Sequence, residues 1–135
     1  MPVRPMRDDE LAEVHAMMLA LWPDFDGDFG GEEVLVWERD RGGLGGFLAH
    51  GVRAHGPNTE DGPVPWIEGW WVAPDLRRAG VGRALVDAFE ALARARGFAA
   101  IGSDVLADND ASLAAHAALG FEPTERLQYF RKRLP

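Results

Sequence analysis

The chain has 135 residues, enough for one domain with its own core, and its 47% hydrophobic content is that of a globular protein rather than a disordered one. It contains no cysteine, no apolar run of membrane-spanning length and no signal-peptide pattern, which excludes disulfides and thiolate chemistry and predicts a cytoplasmic protein with no membrane partner. The formal net charge of −8 disfavours nucleic acid as a partner and favours a cationic one.

The first half of the chain predicts a strand, a helix and a hairpin. The helix is predicted because apolar side chains repeat at helical spacing, at Leu11, Val14, Met18 and Leu21. The predicted elements are a strand at 3–6, a helix that Asp8 or Asp9 caps and Pro23 ends, an acidic, glycine-rich loop at 23–31, a hairpin with strands at 34–37 and 47–54 around a turn at 40–43, and a connecting loop at 55–63.

The second half predicts strands that alternate with helices. The elements are a strand at 66–72, a helix at 81–96 with Gly97 at its C-cap, a strand at 98–105 and a helix at 109–119 ended by Gly120. A last strand starts at Phe121 and resumes at 127–131, where we expect the Tyr129 side chain to be packed. The order β-α-ββ-β-α-β-α-β predicts one α/β or α+β domain over residues 1–135, with a mixed sheet and helices on both faces.

The segment from Trp66 to Ala84 is the most informative part of the chain. Gly80 and Gly82 allow a tight turn between a strand and a helix, and the helix start presents unpaired N–H groups. With Arg77 and Arg78, this turn forms a seat for an anion, which we expect to be a pyrophosphate. The segment is neither a Walker A loop nor a dinucleotide fingerprint, because the Lys-Ser/Thr pair and the third glycine are missing. The alternative is an ordinary strand-to-helix turn.

The pattern Arg77-x-x-Gly80-x-Gly82, after a strand that carries an acid, resembles the acyl-CoA-binding motif of the GNAT acetyltransferase superfamily. The resemblance implies a mostly antiparallel twisted sheet and acetyl-CoA as cosubstrate. It assigns the cofactor loop to Arg77, Arg78, Ala79, Gly80, Val81, Gly82 and Arg83, with a further contact at Asn109. It also assigns Trp71, Val72 and Ala73 to the acetyl-pantetheine arm, where an N–H near Val72 polarises the thioester carbonyl.

Three further segments are similar to a narrower group, the type I aminoglycoside 6'-N-acetyltransferases. They are IEGWWV at 67–72, SDVLADN at 103–109 and ALGFEPTERLQYFRK at 118–132. The similarity is weak over the first forty residues, where that group has a longer second helical segment and this chain has only the acidic stretch 23–33. Because that segment walls the acceptor site in the group, its shortening bears on the choice of acceptor.

Three acids are candidates for an amine site. Strand alternation places Glu68 on the face opposite Ile67 and Trp71, amid indole rings, and we expect it to accept a proton from an ammonium substrate, directly or through water. Asp104 ends the following strand, where sheets of this kind bind ligands. The resemblance makes Glu125 an acceptor-binding acid. The alternatives are an exposed strand-edge acid, a helix cap and a solvated loop charge, respectively.

Four other side chains are candidate site residues. Asn109 caps the last helix, and His116 lies two turns further on the same face, where the superfamily often has a tyrosine that protonates the leaving thiolate. Trp22 either stacks on a sugar ring or fills the core. His55 stands where the resembled enzymes carry tyrosine. The four histidines have no metal-ligand spacing, so we expect no metal.

These observations predict an acetyl-CoA-dependent N-acetyltransferase that acts on a small cationic amine, with the 6'-amino group of aminoglycosides as the expected acceptor. We expect a homodimer. Alternatives within the same fold are a polyamine or the N-terminal amine of a protein as acceptor. Two others are a non-catalytic acyl-CoA sensor, which binds CoA without turnover, and an interaction domain, which does not bind CoA.

Overall fold

A computed structural model describes residues 2–56 and 62–135. The strands are β1 (Val3–Pro5), β2 (Glu33–Glu38), β3 (Leu44–Arg53), β4 (Val64–Val72) and β5 (Gly102–Ser103); the helices are α1 (Leu11–Leu21), α2 (Val81–Ala95) and α3 (Asp110–Ala118). Short 3-10 turns at Asp8–Glu10 and Pro74–Leu76 precede α1 and the loop before α2. The predicted loop at 55–63 lies partly outside the described residues, at 57–61. None of the described helices is long and apolar enough to cross a bilayer.

The five strands form one sheet in the order β1-β2-β3-β4-β5. All neighbouring strands are antiparallel except β4 and β5, which run parallel. Alternate residues of β2 enter different core clusters, since Val34 and Val36 pack with α1 and Leu35 packs with α2. The helices therefore cover opposite faces of the sheet, and the predicted mixed, mostly antiparallel fold is confirmed.

A bulge interrupts the pairing of β3 with β4. Ala49 pairs with Gly69 and His50 pairs with Ile67, so Glu68 is an extra residue on β4. As a consequence, Ile67 packs in the α2 cluster whereas Trp71 packs against the α1 cluster. The expectation that Ile67 and Trp71 share a face opposite Glu68 is wrong, because strand alternation does not continue through a bulge.

The two predicted strands at the C-terminal end differ from the structure. The strand expected at 98–105 is reduced to Gly102–Ser103, which pair only with Trp66 and Ile67. Among the described residues after α3, none is in a strand, so the strand expected from Phe121 and at 127–131 is wrong for a single copy of the chain. A segment forms part of a sheet only where a neighbouring strand makes hydrogen bonds with its backbone.

The start of α1 also differs from the expected cap. Neither Asp8 nor Asp9 caps the helix, because both lie inside the 3-10 turn that precedes it. Glu10 is the N-cap residue of α1 but does not cap it through its side chain; its carboxylate instead accepts the backbone N–H of Arg7 at 2.8 Å, in a capping box of the 3-10 turn, and both terminal nitrogens of Arg4 at 2.8 Å. Arg4 also donates to Glu38, so one arginine connects β1, β2 and the start of α1.

Candidate active site

The loop between β4 and α2 has the backbone of an anion seat. Arg78 and Gly80 adopt left-handed conformations, with φ of 64° and 85°. Gly80 is the N-cap of α2, no side chain caps the helix there, and nothing lies within 4 Å of the position where a Cβ would stand. The first N–H groups of α2 therefore remain available to a ligand, at the positive end of the helix dipole.

Gly82 lies in the first turn of α2 and packs closely on a tryptophan. A Cβ at this position would stand 3.1 Å from the Trp70 ring, closer than ordinary van der Waals contact. Among the described residues, the Trp70 indole N–H is buried without a hydrogen-bond partner. The same ring meets His116 edge to face, with centroids 5.4 Å apart. Gly82 thus lets α2 approach β4 at the point where the anion seat begins.

Two arginines of this region use some of their hydrogen-bond donors for backbone carbonyls of the protein. Arg77 donates through Nε to the Val72 carbonyl at 3.0 Å, and Arg83 donates to the Ala118 carbonyl at 3.2 Å. A guanidinium has five donors, so both keep donors for a phosphate. Arg78 and Ala79 are exposed. Val81 has a buried side chain, so it can contribute only backbone to a bound cofactor.

The sheet opens on the β5 side of β4 beyond Ile67. β5 pairs only with Trp66 and Ile67, and no described strand follows along the rest of β4 on that side. The N–H of Ala73 donates to the Gly45 carbonyl of β3 at 2.8 Å. Because neighbouring residues of a strand alternate in hydrogen-bonding direction, the N–H and carbonyl of Val72 point into the opening. The Val72 N–H is therefore directed into the gap, where no described strand pairs with it.

A second group of side chains lies at the ends of β3, β4 and β5. Arg53 binds the Glu68 carboxylate through Nη2 and Nε, at 2.5 and 3.3 Å, and its Nη1 is 3.7 Å from Asp104. The guanidinium lies over the Trp66 ring, 4.5 Å from the centroid, and the Trp66 N–H reaches Asp104 at 3.5 Å. We call Arg53, Trp66, Glu68 and Asp104 the Arg53 cluster. Two of the three predicted acids, Glu68 and Asp104, therefore lie close together, and both contact the guanidinium of Arg53.

Glu32 adds a further carboxyl next to the Arg53 cluster. Burial raises the pKa of Glu32, and the negative charge of Glu68 raises it further, whereas Arg53 acts in the opposite direction. Two other acids of the acidic stretch 23–33 stabilise its loop, because Asp26 accepts the backbone N–H of Asp28 and Asp28 accepts the backbone N–H of Gly30. The acidic segment is thus divided between loop structure and the cluster.

Three predicted acceptor residues are not joined to the Arg53 cluster by any described hydrogen bond or ion pair. Trp22 is 48% exposed and, with Asp24, Phe25 and Asp26, lines an open depression of about 320 Å³. His55 is exposed just beyond β3, and Glu125 is exposed in the segment after α3. Their roles remain predictions.

His116 is held by both ring nitrogens. Nδ1 is 2.7 Å from the Ser112 carbonyl, which can only accept, so Nδ1 carries a proton. In the neutral ring, Nε2 then accepts from the Ser103 hydroxyl at 2.8 Å. Asn109 caps α3 as predicted, since its side chain accepts the N–H of Ser112 at 3.1 Å. His116 therefore reaches the opening of the sheet through Ser103, the last residue of β5.

Arg53 and Ser103 are the site residues that sequence reasoning missed. Arg53 is the one charged side chain of β3, and a lone charge in an otherwise uncharged strand is the signal that could have drawn attention to it. Its pairing with Glu68 depends on the bulge, which the sequence does not reveal. Ser103 is the first residue of the segment SDVLADN at 103–109, but its contact with His116 depends on how α3 packs.

The chain matches the model of the Acetyltransferase (GNAT) family over residues 5–121. It is 35% identical to an aminoglycoside N(6')-acetyltransferase type 1 from Klebsiella aerogenes, over 98% of this chain and 96% of the relative. It is 39% identical to the Stenotrophomonas maltophilia protein of the same name, over 87% and 84% of the two chains.

Solved structures agree with the sequence matches. The crystal structure of the aminoglycoside antibiotic 6'-N-acetyltransferase AAC(6')-Ih from Acinetobacter baumannii matches with a TM-score of 0.86 and 30% identity, over 98% of both chains. AAC(6')-Iy, solved with the bisubstrate analogue CoA-S-monomethyl-acetylneamine, matches with a TM-score of 0.86 and 29% identity, over 98% of this chain and 97% of that one. With this family match and these relatives, the chain belongs to the GNAT family of acetyltransferases.

Proposed function

We propose that this chain is an acetyl-CoA-dependent N-acetyltransferase that modifies the 6'-amino group of aminoglycosides. The observation that carries the proposal is the match to aminoglycoside 6'-N-acetyltransferases over nearly the whole chain, at 35% identity in one case. The arrangement of the site supports it, because one continuous stretch carries both Glu68 and the anion seat. A proton acceptor and a cofactor seat thus lie on a single strand and the helix that follows it.

The cofactor role is assigned to the loop and to the opened edge of β4. The N–H groups at the start of α2 would hold the pyrophosphate, assisted by Arg77, Arg78 and Arg83, and Asn109 is proposed as a further contact to the cofactor. Acetyl-CoA, when bound, supplies an acetyl group as a thioester that an amine can attack. The free Val72 N–H is suited to stabilise the negative charge that develops on the carbonyl oxygen.

Glu68 is proposed to prepare the acceptor. An aminoglycoside amine is largely an ammonium at neutral pH and must lose a proton before its nitrogen can attack a carbonyl carbon. Glu68 accepts that proton, directly or through water. Holding the amine at the open edge of β4 supplies much of the rate, because a bimolecular step becomes effectively intramolecular.

His116 and Ser103 are proposed to protonate the departing sulfur. The Ser103 hydroxyl lies next to the opening and gives its proton to the thiolate as the carbon–sulfur bond breaks. In the same step a protonated His116 returns a proton to Ser103 from Nε2, across the 2.8 Å contact. The serine thus carries the proton that the sequence assigns to the histidine alone.

The acceptor site is proposed to include the acids Glu68, Asp104 and Glu125, together with Trp22 and His55. Cationic amines are bound by carboxylates and aromatic faces, and the Arg53 cluster offers both in one place. The net charge of −8 favours the approach of such cations from a distance.

Because acetyl-CoA is a cytoplasmic metabolite, we propose a cytoplasmic location.

We also propose a homodimer. The segment after α3 exposes large apolar side chains, with Leu127, Tyr129, Phe130 and Leu134 at 61%, 77%, 91% and 82% exposure. Exposed apolar groups in such density are typical of a protein interface. A second copy would supply the strand neighbour that this segment lacks within one chain.

An acceptor screen tests the proposed function. Purified protein is assayed with acetyl-CoA and, in parallel, with kanamycin, spermidine and a short peptide with a free N-terminus, by measuring the release of CoA thiol. We expect turnover with kanamycin at the highest kcat/KM. Turnover with spermidine or the peptide alone, or CoA binding without turnover, would refute the aminoglycoside assignment.

A further inference from the structure

Arg53 occupies the place where a cationic acceptor would be bound. Its guanidinium is bound by Glu68, is 3.7 Å from Asp104 and lies 4.5 Å over the Trp66 ring. Carboxylates together with an indole face are the groups that bind a substrate ammonium in water-accessible sites. The acids that recognise the amine in the proposed function are thus already occupied by a cation of the chain itself.

The Arg53 guanidinium is bound by Glu68 but remains partly exposed to solvent. Its side chain is 38% exposed, and Glu68 and Asp104 are 23% and 55% exposed. Burial acts to lower the pKa of Arg53, but the hydrogen bond and charge of Glu68 and the charge of Asp104 outweigh it and raise the pKa. The cation is therefore permanent, and it can be removed only by moving the side chain towards solvent.

Carboxyl groups outnumber cations in and next to the Arg53 cluster. Glu32, Glu68 and Asp104 face one guanidinium, and burial and the Glu68 charge raise the pKa of Glu32 even in its presence. A second cation that enters is thus attracted by the acids, but it competes with Arg53 for Glu68. The charge-assisted hydrogen bonds that it must replace are each worth roughly tenfold in binding.

We propose that Arg53 is a specificity-determining residue, an internal competitor that the amine substrate displaces from Glu68 and Asp104. This inference rests on the proposed function, because it assumes that these acids bind the acceptor. An aminoglycoside displaces Arg53 because its several ammonium groups gain contacts to more than one acid. A monoamine gains one contact and leaves the guanidinium in place. Arg53 thereby selects acceptors with several charges.

The test compares Arg53→Gln with the wild type for two acceptors, kanamycin and the monoamine 6-amino-6-deoxyglucose, at saturating acetyl-CoA. We expect KM to fall about tenfold for kanamycin and further for the monoamine, so that selectivity narrows. Asp104→Asn should change KM for kanamycin in the opposite direction. A rise in KM for both acceptors in Arg53→Gln, or no change, would overturn the proposal and make Arg53 a scaffold residue.

Two further variants separate displacement from misfolding. Arg53→Lys keeps a cation but loses the two-nitrogen contact to Glu68 and the stacking on Trp66, so its KM values should lie between those of the wild type and Arg53→Gln. Arg96→Gln breaks a similar bidentate pair, that with Glu33, on the exposed surface and should leave KM unchanged. Calorimetric titration of kanamycin into each variant without acetyl-CoA reads affinity directly. If the wild type acetylates no aminoglycoside, the proposed function has failed, whereas tighter binding to Arg53→Gln would still support displacement and unchanged binding would refute it.

Discussion

Gly82 shows how a single residue sets the distance between two elements. With a Cβ 3.1 Å from the Trp70 ring, any larger residue would push α2 away from β4 or rotate the indole. Gly80, two residues earlier, meets open space and is needed instead for its left-handed backbone. The two glycines of the motif therefore have different tasks, one in packing and one in conformation.

Gly82→Asp should abolish binding of acetyl-CoA. The side chain would collide with Trp70 and place a negative charge where the pyrophosphate is expected to bind. Isothermal titration of acetyl-CoA measures the loss directly. Ala91→Asp is the matched control, because it adds the same charge at an exposed position of the same helix, more than two turns further along. Unchanged affinity in Gly82→Asp would refute the assignment of the phosphate loop.

His116→Ala should lower kcat by about 100-fold, the low end for loss of a general acid, with much smaller changes in KM for either substrate. Ser103→Ala should cause a comparable loss, because the proposed proton path runs through its hydroxyl. His116→Tyr should restore part of the rate, since a phenol is the usual acid in the resembled superfamily. Steady-state rates of the three variants provide the measurement.

The outcome for Ser103 distinguishes two accounts of His116. If His116→Ala loses rate and Ser103→Ala does not, the histidine acts without the serine. If both variants have the wild-type kcat, neither residue takes part in the proton transfer, and His116 is a packing residue between Trp70 and Phe121.

The start of α1 is held by one carboxylate, which makes it sensitive to acid. The hydrogen bonds from Arg4 lower the pKa of Glu10 from 4.5 to about 2, against the opposing effect of burial, and the N–H of Arg7 contributes. A carboxyl with a lowered folded-state pKa stabilises the fold above its unfolded pKa. That stability is lost as the pH falls from about 4.5 to about 2.

Glu10→Gln should reduce the free energy of unfolding at pH 7 by about 1–2 kcal/mol, since the pair with Arg4 is partly screened by solvent. The difference from the wild type should shrink as the pH falls below about 4.5 and vanish near pH 2. Urea unfolding followed at several pH values measures it. Asp40→Asn, in the exposed hairpin turn, controls for the loss of one charge. A difference that is independent of pH would contradict this role of Glu10.

At the scale of elements, the sequence predicts what depends on local pattern. The positions of α1, α2, α3 and the hairpin follow from apolar spacing and from glycine and proline punctuation. The bulge at Glu68 and the shortness of β5 do not, because both are set by pairing with distant strands. For the same reason the sequence brought Glu68 and Asp104 together but not Arg53, which reaches them from β3.

The segment after α3 matters at the scale of the whole molecule. Its large apolar side chains are exposed, and it also contains Glu125, one of the proposed acceptor-binding acids. A second copy that covers this segment would therefore also bear on the acceptor site. A strand prediction at 127–131 fails for one chain because the hydrogen-bonding neighbour has to come from elsewhere.

Sedimentation velocity should show a dimer at micromolar concentration. Phe130→Asp should weaken its association at least about tenfold, since a buried phenylalanine contributes about 1.5–3 kcal/mol. Leu106→Asp is the matched control, because Leu106 is also exposed but lies outside this segment. A wild-type protein that sediments as a monomer throughout would refute the homodimer, and equal dimerisation in both variants would move the interface away from Phe130.

The central claim is that this molecule acetylates the 6'-amine of aminoglycosides. The most direct measurement compares kcat/KM for two aminoglycosides that differ only at the 6' position, an amine in one and a hydroxyl in the other. The account predicts turnover of the first, with NMR placing the acetyl group on the 6' nitrogen, and no detectable turnover of the second. Equal turnover of both compounds, or an acetyl group on another amine, would contradict it.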